Sequence, residues 1–107
     1  MKVRLMSALV ATLALPGCAG IIVADASRKE ARVAIGKVMA AERPGIDSAE
    51  AAVCVQKAMT ILETTRLGLD DSHRGVTAAN REKILAYAAR PDAQACLDAL
   101  PPAGVVN

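Results

Sequence analysis

The side chains able to carry chemistry fall in three places. One is the run Asp70-Asp71-Ser72-His73, where two carboxylates, a hydroxyl and the sole imidazole follow one another. Another is the set of three cysteines, Cys18, Cys54 and Cys96. The third is Tyr87, the only aromatic residue, with Arg90 one helical turn further on. A nucleophilic Ser–His pair needs the imidazole within hydrogen-bond reach of the hydroxyl. Adjacent residues of an extended loop point apart, and no second histidine stands ready as a base. Asp70, Asp71 and His73 offer donors for a divalent cation, but a solvated polar turn explains the same residues. Glycine-rich phosphate loops, His-Glu-x-x-His patterns and Cys-x-x-Cys pairs are absent from the sequence. The expectation is a protein with no catalytic residue, no cofactor and no metal.

Composition narrows the classes further. The 107 residues carry 13 Lys+Arg against 11 Asp+Glu, and two of the bases are Lys2 and Arg4. Everything after them is charge-balanced, which leaves no basic face for phosphate neutralisation. A single aromatic supplies no stacking platform for bases or sugars. Nucleic acid and glycan partners are therefore not expected. Hydrophobic residues make up 53% of the chain, enough to bury a core, so disorder is not expected either.

The N-terminus has the layout of an export signal. Lys2 and Arg4 precede Leu5–Leu15, eleven residues without a charge, and Pro16-Gly17 breaks the run just before Cys18. Leu15-Pro16-Gly17-Cys18 resembles the lipobox of bacterial lipoproteins, with an aliphatic residue three before the cysteine and a small one just before it. Pro16 stands where that class usually has a small residue. The resemblance covers residues 1–20 only. It implies a signal peptide over residues 1–17, a lipidated tether over 18–25 and lipid on the Cys18 thiol, with acylation of the new N-terminus (the palmitate of that class). Ala19 in place of an aspartate implies sorting to the outer membrane. Two alternatives stay open. Ala24-Asp25-Ala26 has the small-x-small form cut by ordinary signal peptidase, which releases a soluble chain from Ser27. Leu5 to Ala24 is also twenty residues without a charge, so an uncut chain keeps an anchor kinked at Pro16-Gly17. All three put the remainder outside the cytosol.

With Cys18 lipidated or removed, Cys54 and Cys96 form an even pair in a small exported domain, the setting in which disulfides persist. Such a bridge closes a loop of about 43 residues, for which the chain-entropy model gives about 4 kcal/mol. Two distant cysteines and one histidine do not make a zinc site.

The elements holding these residues read as helices. Ala31, Ala34, Ile35, Val38 and Met39 recur at i, i+3, i+4, i+7 and i+8, the apolar stripe of one helix ended by Pro44-Gly45. Asp47 with Glu50 has capping-box spacing and starts a second helix. The pattern carries this helix unbroken toward Gly68 as its C′ residue. It is apolar over most of its girth, including Ile61 and Leu62, so it is expected at the centre. A third helix opens at Val76 or Thr77, buries Ile84, Leu85 and Ala88, and stops at Pro91. Asp92 is placed to cap a fourth, with Cys96, Leu97 and Leu100 inward. The expected fold is all-α: a four-helix bundle-like domain over residues 26–101, stapled by one disulfide, with an irregular tail over 102–107.

Function reads only coarsely. A small envelope lipoprotein is expected, at the periplasmic face and anchored through Cys18, that binds another envelope protein as a non-enzymatic accessory or assembly subunit. Tyr87 and Arg90 are the candidate partner-binding residues, since Tyr and Arg are over-represented at binding hot spots. The alternatives are a soluble periplasmic helical module holding a small apolar ligand, or a membrane-complex subunit that retains residues 5–24.

Overall fold

The computed structural model describes residues 25–71 and 76–104, with the side chain of Asp71 excepted. Residues 1–24, which include the expected signal segment and Cys18, residues 72–75 with Ser72 and His73, and residues 105–107 lie outside the described residues. Among those described the protein is all-α, with five helices and no strand. They are α1 over residues 25–42, α2 over Ser48–Lys57, α3 over Ile61–Asp71, α4 over Ala78–Ala88 and α5 over Pro91–Asp98. None is long and apolar enough to cross a membrane.

The stripe on α1 is where periodicity puts it: Ala31, Ala34, Ile35, Val38 and Met39 are all buried. Pro44-Gly45 follows in a turn. Asp47 caps α2, its carboxylate accepting hydrogen bonds from the amides of Ala49 and Glu50 at 2.9 and 3.1 Å. Ala51, Ala52, Cys54 and Val55 then face the core. Thr77 caps α4 by accepting from the Asn80 amide at 3.1 Å, and Ile84 and Ala88 are buried below it. Leu85, Cys96 and Leu100 are half-buried against the same core. Its largest fully buried side chains are Ile35, Met39, Ile84, Leu97, Val38 and Val55. Each contributes about 1.5–3 kcal/mol by leaving water. Alanine fills much of the remaining interface, which lets the helices approach closely.

Three expectations are corrected. The helix expected to run from Asp47 toward Gly68 is two helices. α2 ends at Lys57, its last turn tightened by Ala58 and Met59 amides donating to the Val55 and Gln56 carbonyls at 3.0 and 3.1 Å. α3 then starts afresh behind Thr60. The change of direction takes Ile61 and Leu62 out of the core: they are 78% and 58% exposed. Gly68, expected as a helix terminus, lies inside α3 and is buried. A Cβ built there stands 2.6 Å from the Ser27 carbonyl carbon and 2.8 Å from its Cα, so only glycine lets α3 cross α1 at this point. Asp92 does not cap the last helix. Arg90 occupies the N-cap position without a side-chain cap bond, Pro91 is the first helical residue and Asp92 sits in the first turn. Pro91 fits there because its missing N–H would have no helical partner anyway.

The tail is less irregular than expected. Pro102 pairs with Ile46 in an isolated antiparallel bridge, and the Ala103 amide donates to the Gly45 carbonyl at 2.8 Å. Gly104 has φ +85°, a conformation that favours glycine. The disulfide joins Cys54 of α2 to Cys96 of α5, Cα to Cα 5.5 Å, across a sequence separation of 42. It fixes the shortest of the five helices onto α2. Leu97 beside it is fully buried.

Gly68→Ala is expected to lower the unfolding free energy by about 3 kcal/mol, since backbone and not a flexible side chain would have to yield. Urea unfolding of the variant reads this. Reducing Cys54–Cys96, or replacing both cysteines by serine, is expected to remove about 4 kcal/mol in the same assay.

Candidate functional site

Two polar assemblies stand out, and both sit at the junction of α2 and α3. The first begins with a local signature. Thr60 and Glu63 form a reciprocal capping box: the Thr60 amide donates to Glu63 Oε1 at 2.8 Å and the Glu63 amide donates to Thr60 Oγ1 at 3.1 Å. This satisfies the free amides at the head of α3 and stabilises a new helix start three residues after the old one ends. The Thr60-x-x-Glu63 spacing is visible in the sequence, but the apolar run on both sides hides it.

Arg90 completes the assembly from the other end of the chain. The residue before a proline is held in extended backbone, and Arg90 has φ −61° and ψ 143°. Its guanidinium donates through Nη1 to the Ala58 carbonyl and to Glu63 Oε1, both at 2.8 Å. Nη2 donates to Glu63 Oε2 at 2.6 Å. One planar fork thus holds the last turn of α2 and the first turn of α3 together. The same group lies 4.9 Å over the Tyr87 ring, a cation–π contact. Tyr87 and Arg90, singled out together as partner-binding candidates, lie against one another, and the Arg90 fork is engaged within the chain. Hydrogen bonds from Arg90 and from the Thr60 amide hold the Glu63 carboxyl down at about 2, against an ordinary 4.5.

The second assembly is a cleft of about 230 Å³ between α1 and the α2–α3 junction. Arg28 and Arg32 reach it from successive turns of α1, and Lys57 from the end of α2. Val53, Met59 and Ile61 supply an apolar wall. Gln56 ties the two helices across it. Its Nε2 donates to the Arg28 carbonyl at 3.0 Å, and its Oε1 accepts from Arg32 Nε and Nη2 at 3.0 and 2.9 Å. Carboxylates are absent from the lining. Elsewhere five described cations are matched, Lys29 with Asp25, Arg43 with Asp98, Arg81 with Glu42, Lys83 with Asp70 and Arg90 with Glu63, while Lys37 and Arg66 are unmatched and do not line the cleft. Among the described residues Arg28, Arg32 and Lys57 enter no ion pair. The sequence shows Arg28 and Arg32 at i, i+4 on α1, but their meeting with Lys57 follows from how α1 packs on α2.

A wider, shallower groove of about 570 Å³ runs between α1 and α2 past Val33, Gly36, Ala40 and Ala49. Of the Asp70-Asp71-Ser72-His73 run, Asp70 is described, with Lys83 Nζ at 4.0 Å from its carboxylate. The Asp71 side chain, Ser72 and His73 lie outside the described residues. Among the described residues no group of three or more His, Cys, Asp or Glu is placed to hold a metal ion.

The Glu63 pair makes stability depend on acid. Because its folded-state value lies below 4.5, the contribution is whole above that pH and is lost as the pH falls toward about 2. The pair is partly exposed, so solvent screening leaves it worth on the order of 1 kcal/mol. Glu63→Gln is expected to flatten the acid limb of the pH–stability curve by that amount, read by urea unfolding at a series of pH values. Arg90→Lys is expected to lower stability near neutral pH in the same assay, since an ammonium cannot serve Ala58 and both Glu63 oxygens in one plane.

Among family models, curated proteins and solved structures, none matches this chain.

Proposed function

We propose that this chain is an exported envelope protein, held at the membrane by lipid on Cys18, whose body is a non-enzymatic accessory subunit for another envelope protein. The observation that carries this reading is the Cys54–Cys96 bond joining α2 to α5. A disulfide that clamps a short helix onto a small core suits a chain folding in an oxidising compartment. The lipobox-like Leu15-Pro16-Gly17-Cys18 supplies the route there and the attachment. In this reading the mature domain is one small helical bundle, in which α2 and α3 together take the place of a single bent central helix. The alternative, a soluble module for a small apolar ligand, draws its support from the open α1–α2 groove.

The intact mass of the protein recovered from a bacterial envelope tests the proposal. The expected product begins at Cys18, carries the mass of a thioether-linked diacylglycerol with an N-terminal acyl chain, and takes up alkylating reagent at Cys54 and Cys96 only after reduction. A product beginning at Ser27 overturns the lipid anchor in favour of the soluble module. An uncut chain favours the retained anchor. Free Cys54 and Cys96 thiols without reductant overturn export itself.

A further inference from the structure

We propose that the cleft between α1 and the α2–α3 junction seats the anionic headgroup of a membrane phospholipid, laying the helical body on the bilayer through Ile61 and Leu62. The inference rests on the membrane attachment of residues 1–24, which the lipidated and the retained-anchor readings share, and not on lipid at Cys18 in particular.

What the cleft lacks is an anion. Arg28, Arg32 and Lys57 converge on it without a carboxylate among its lining residues, whereas the two other unpaired cations of the described chain, Lys37 and Arg66, stand outside it. Gln56 orients the Arg32 guanidinium without neutralising it. At about 230 Å³ the cleft is smaller than the roughly 300–1,000 Å³ of pockets that enclose whole organic ligands, and suits a phosphate-bearing headgroup.

The apolar side chains fit the same occupant. Ile61 forms part of the cleft wall and is 78% exposed, and its neighbour Leu62 is 58% exposed. Aliphatic side chains beside unpaired cations are the composition of a helix surface lying at a headgroup–acyl boundary. A free phosphate ion would use the cations and leave Ile61 and Leu62 in water. A bilayer uses both.

Chain length closes the argument. Cys18 and Asp25 are seven positions apart in sequence, and α1 is already helical at residue 25. Seven extended residues reach about 25 Å at most. Arg28 lies one turn into the described helix, so a chain fastened to the bilayer at Cys18, or through residue 24 where the anchor is retained, keeps the cleft within reach of the headgroup layer.

The test uses the full chain reconstituted in vesicles of phosphatidylcholine alone or with one-third phosphatidylglycerol, read by amide hydrogen exchange over residues 57–65. Exchange there is expected to slow in the phosphatidylglycerol vesicles relative to phosphatidylcholine. Arg28→Gln with Lys57→Gln is expected to weaken that protection, by about fivefold for each cation removed at an anionic surface. Neither side chain makes a hydrogen bond or ion pair among the described residues, and unchanged protection over residues 31–39 verifies the fold of the variant. Ile61→Asn with Leu62→Asn is expected to abolish the effect with the cations intact. Equal exchange in both vesicle types, or protection unchanged in the variants, overturns the proposal. So does equal protection in neutral vesicles from inorganic phosphate or from an acidic peptide, either of which reassigns the cleft to a soluble anion or a protein partner. The intact mass at Cys18 is read on the envelope-derived protein, so failure of lipidation and failure of headgroup binding appear in separate measurements.

Discussion

Arg90 holds the chain bent between residues 58 and 63, and much of the architecture follows from that bend. A carbonyl at the end of one helix and a carboxylate at the start of the next are both acceptors, and two acceptors brought together repel. The guanidinium supplies three donated hydrogen bonds in one plane, two to Glu63 and one to Ala58, which turns that repulsion into a joint. Pro91 contributes by restricting the backbone of the residue before it, so Arg90 is kept out of helical conformation. The capping box at Thr60 makes the break locally acceptable, and Arg90 makes it specific.

Once the bend is set, the contacts on either side of it are constrained. α3 leaves the line of α2 and crosses α1 at Ser27, where the absence of a side chain at Gly68 permits backbone contact. Ile61 and Leu62, part of an apolar run that a straight helix would have buried on its way through the core, come to the surface. The cleft with its three unpaired cations opens between α1 and the bend. The disulfide also acts on α2, joining it to α5 through Cys54 while Arg90 joins the head of α5 to the end of α2. α5, the shortest helix, is thus fastened to α2 covalently near its end and by hydrogen bonds at its start.

Several of these features are legible in the residues. The five-residue stripe of α1, the Asp47 cap, the opening of a helix at Val76 or Thr77 and the partnership of Cys54 with Cys96 could be read before any coordinates. The stripe and the helix starts rest on short-range rules, helical periodicity and side-chain capping within three residues, while the pairing rests on there being two cysteines after Cys18. The break after Lys57 was legible in principle, through Thr60 and Glu63. It was masked because Ala58, Met59, Ile61 and Leu62 continue an apolar pattern that gives no hint of which of them reach the core.

Sequence alone determined that the chain is helical, because periodicity and capping act within a few turns, and it singled out Cys54 and Cys96 as the pair left once Cys18 is set aside. The tertiary structure decided where Arg90 spends its hydrogen bonds, why residue 68 is glycine, and that Arg28, Arg32 and Lys57 share one cleft. These depend on residues 25 to 41 positions apart being brought together, and linear spacing does not encode such meetings. They follow from how the buried faces of separate helices pack.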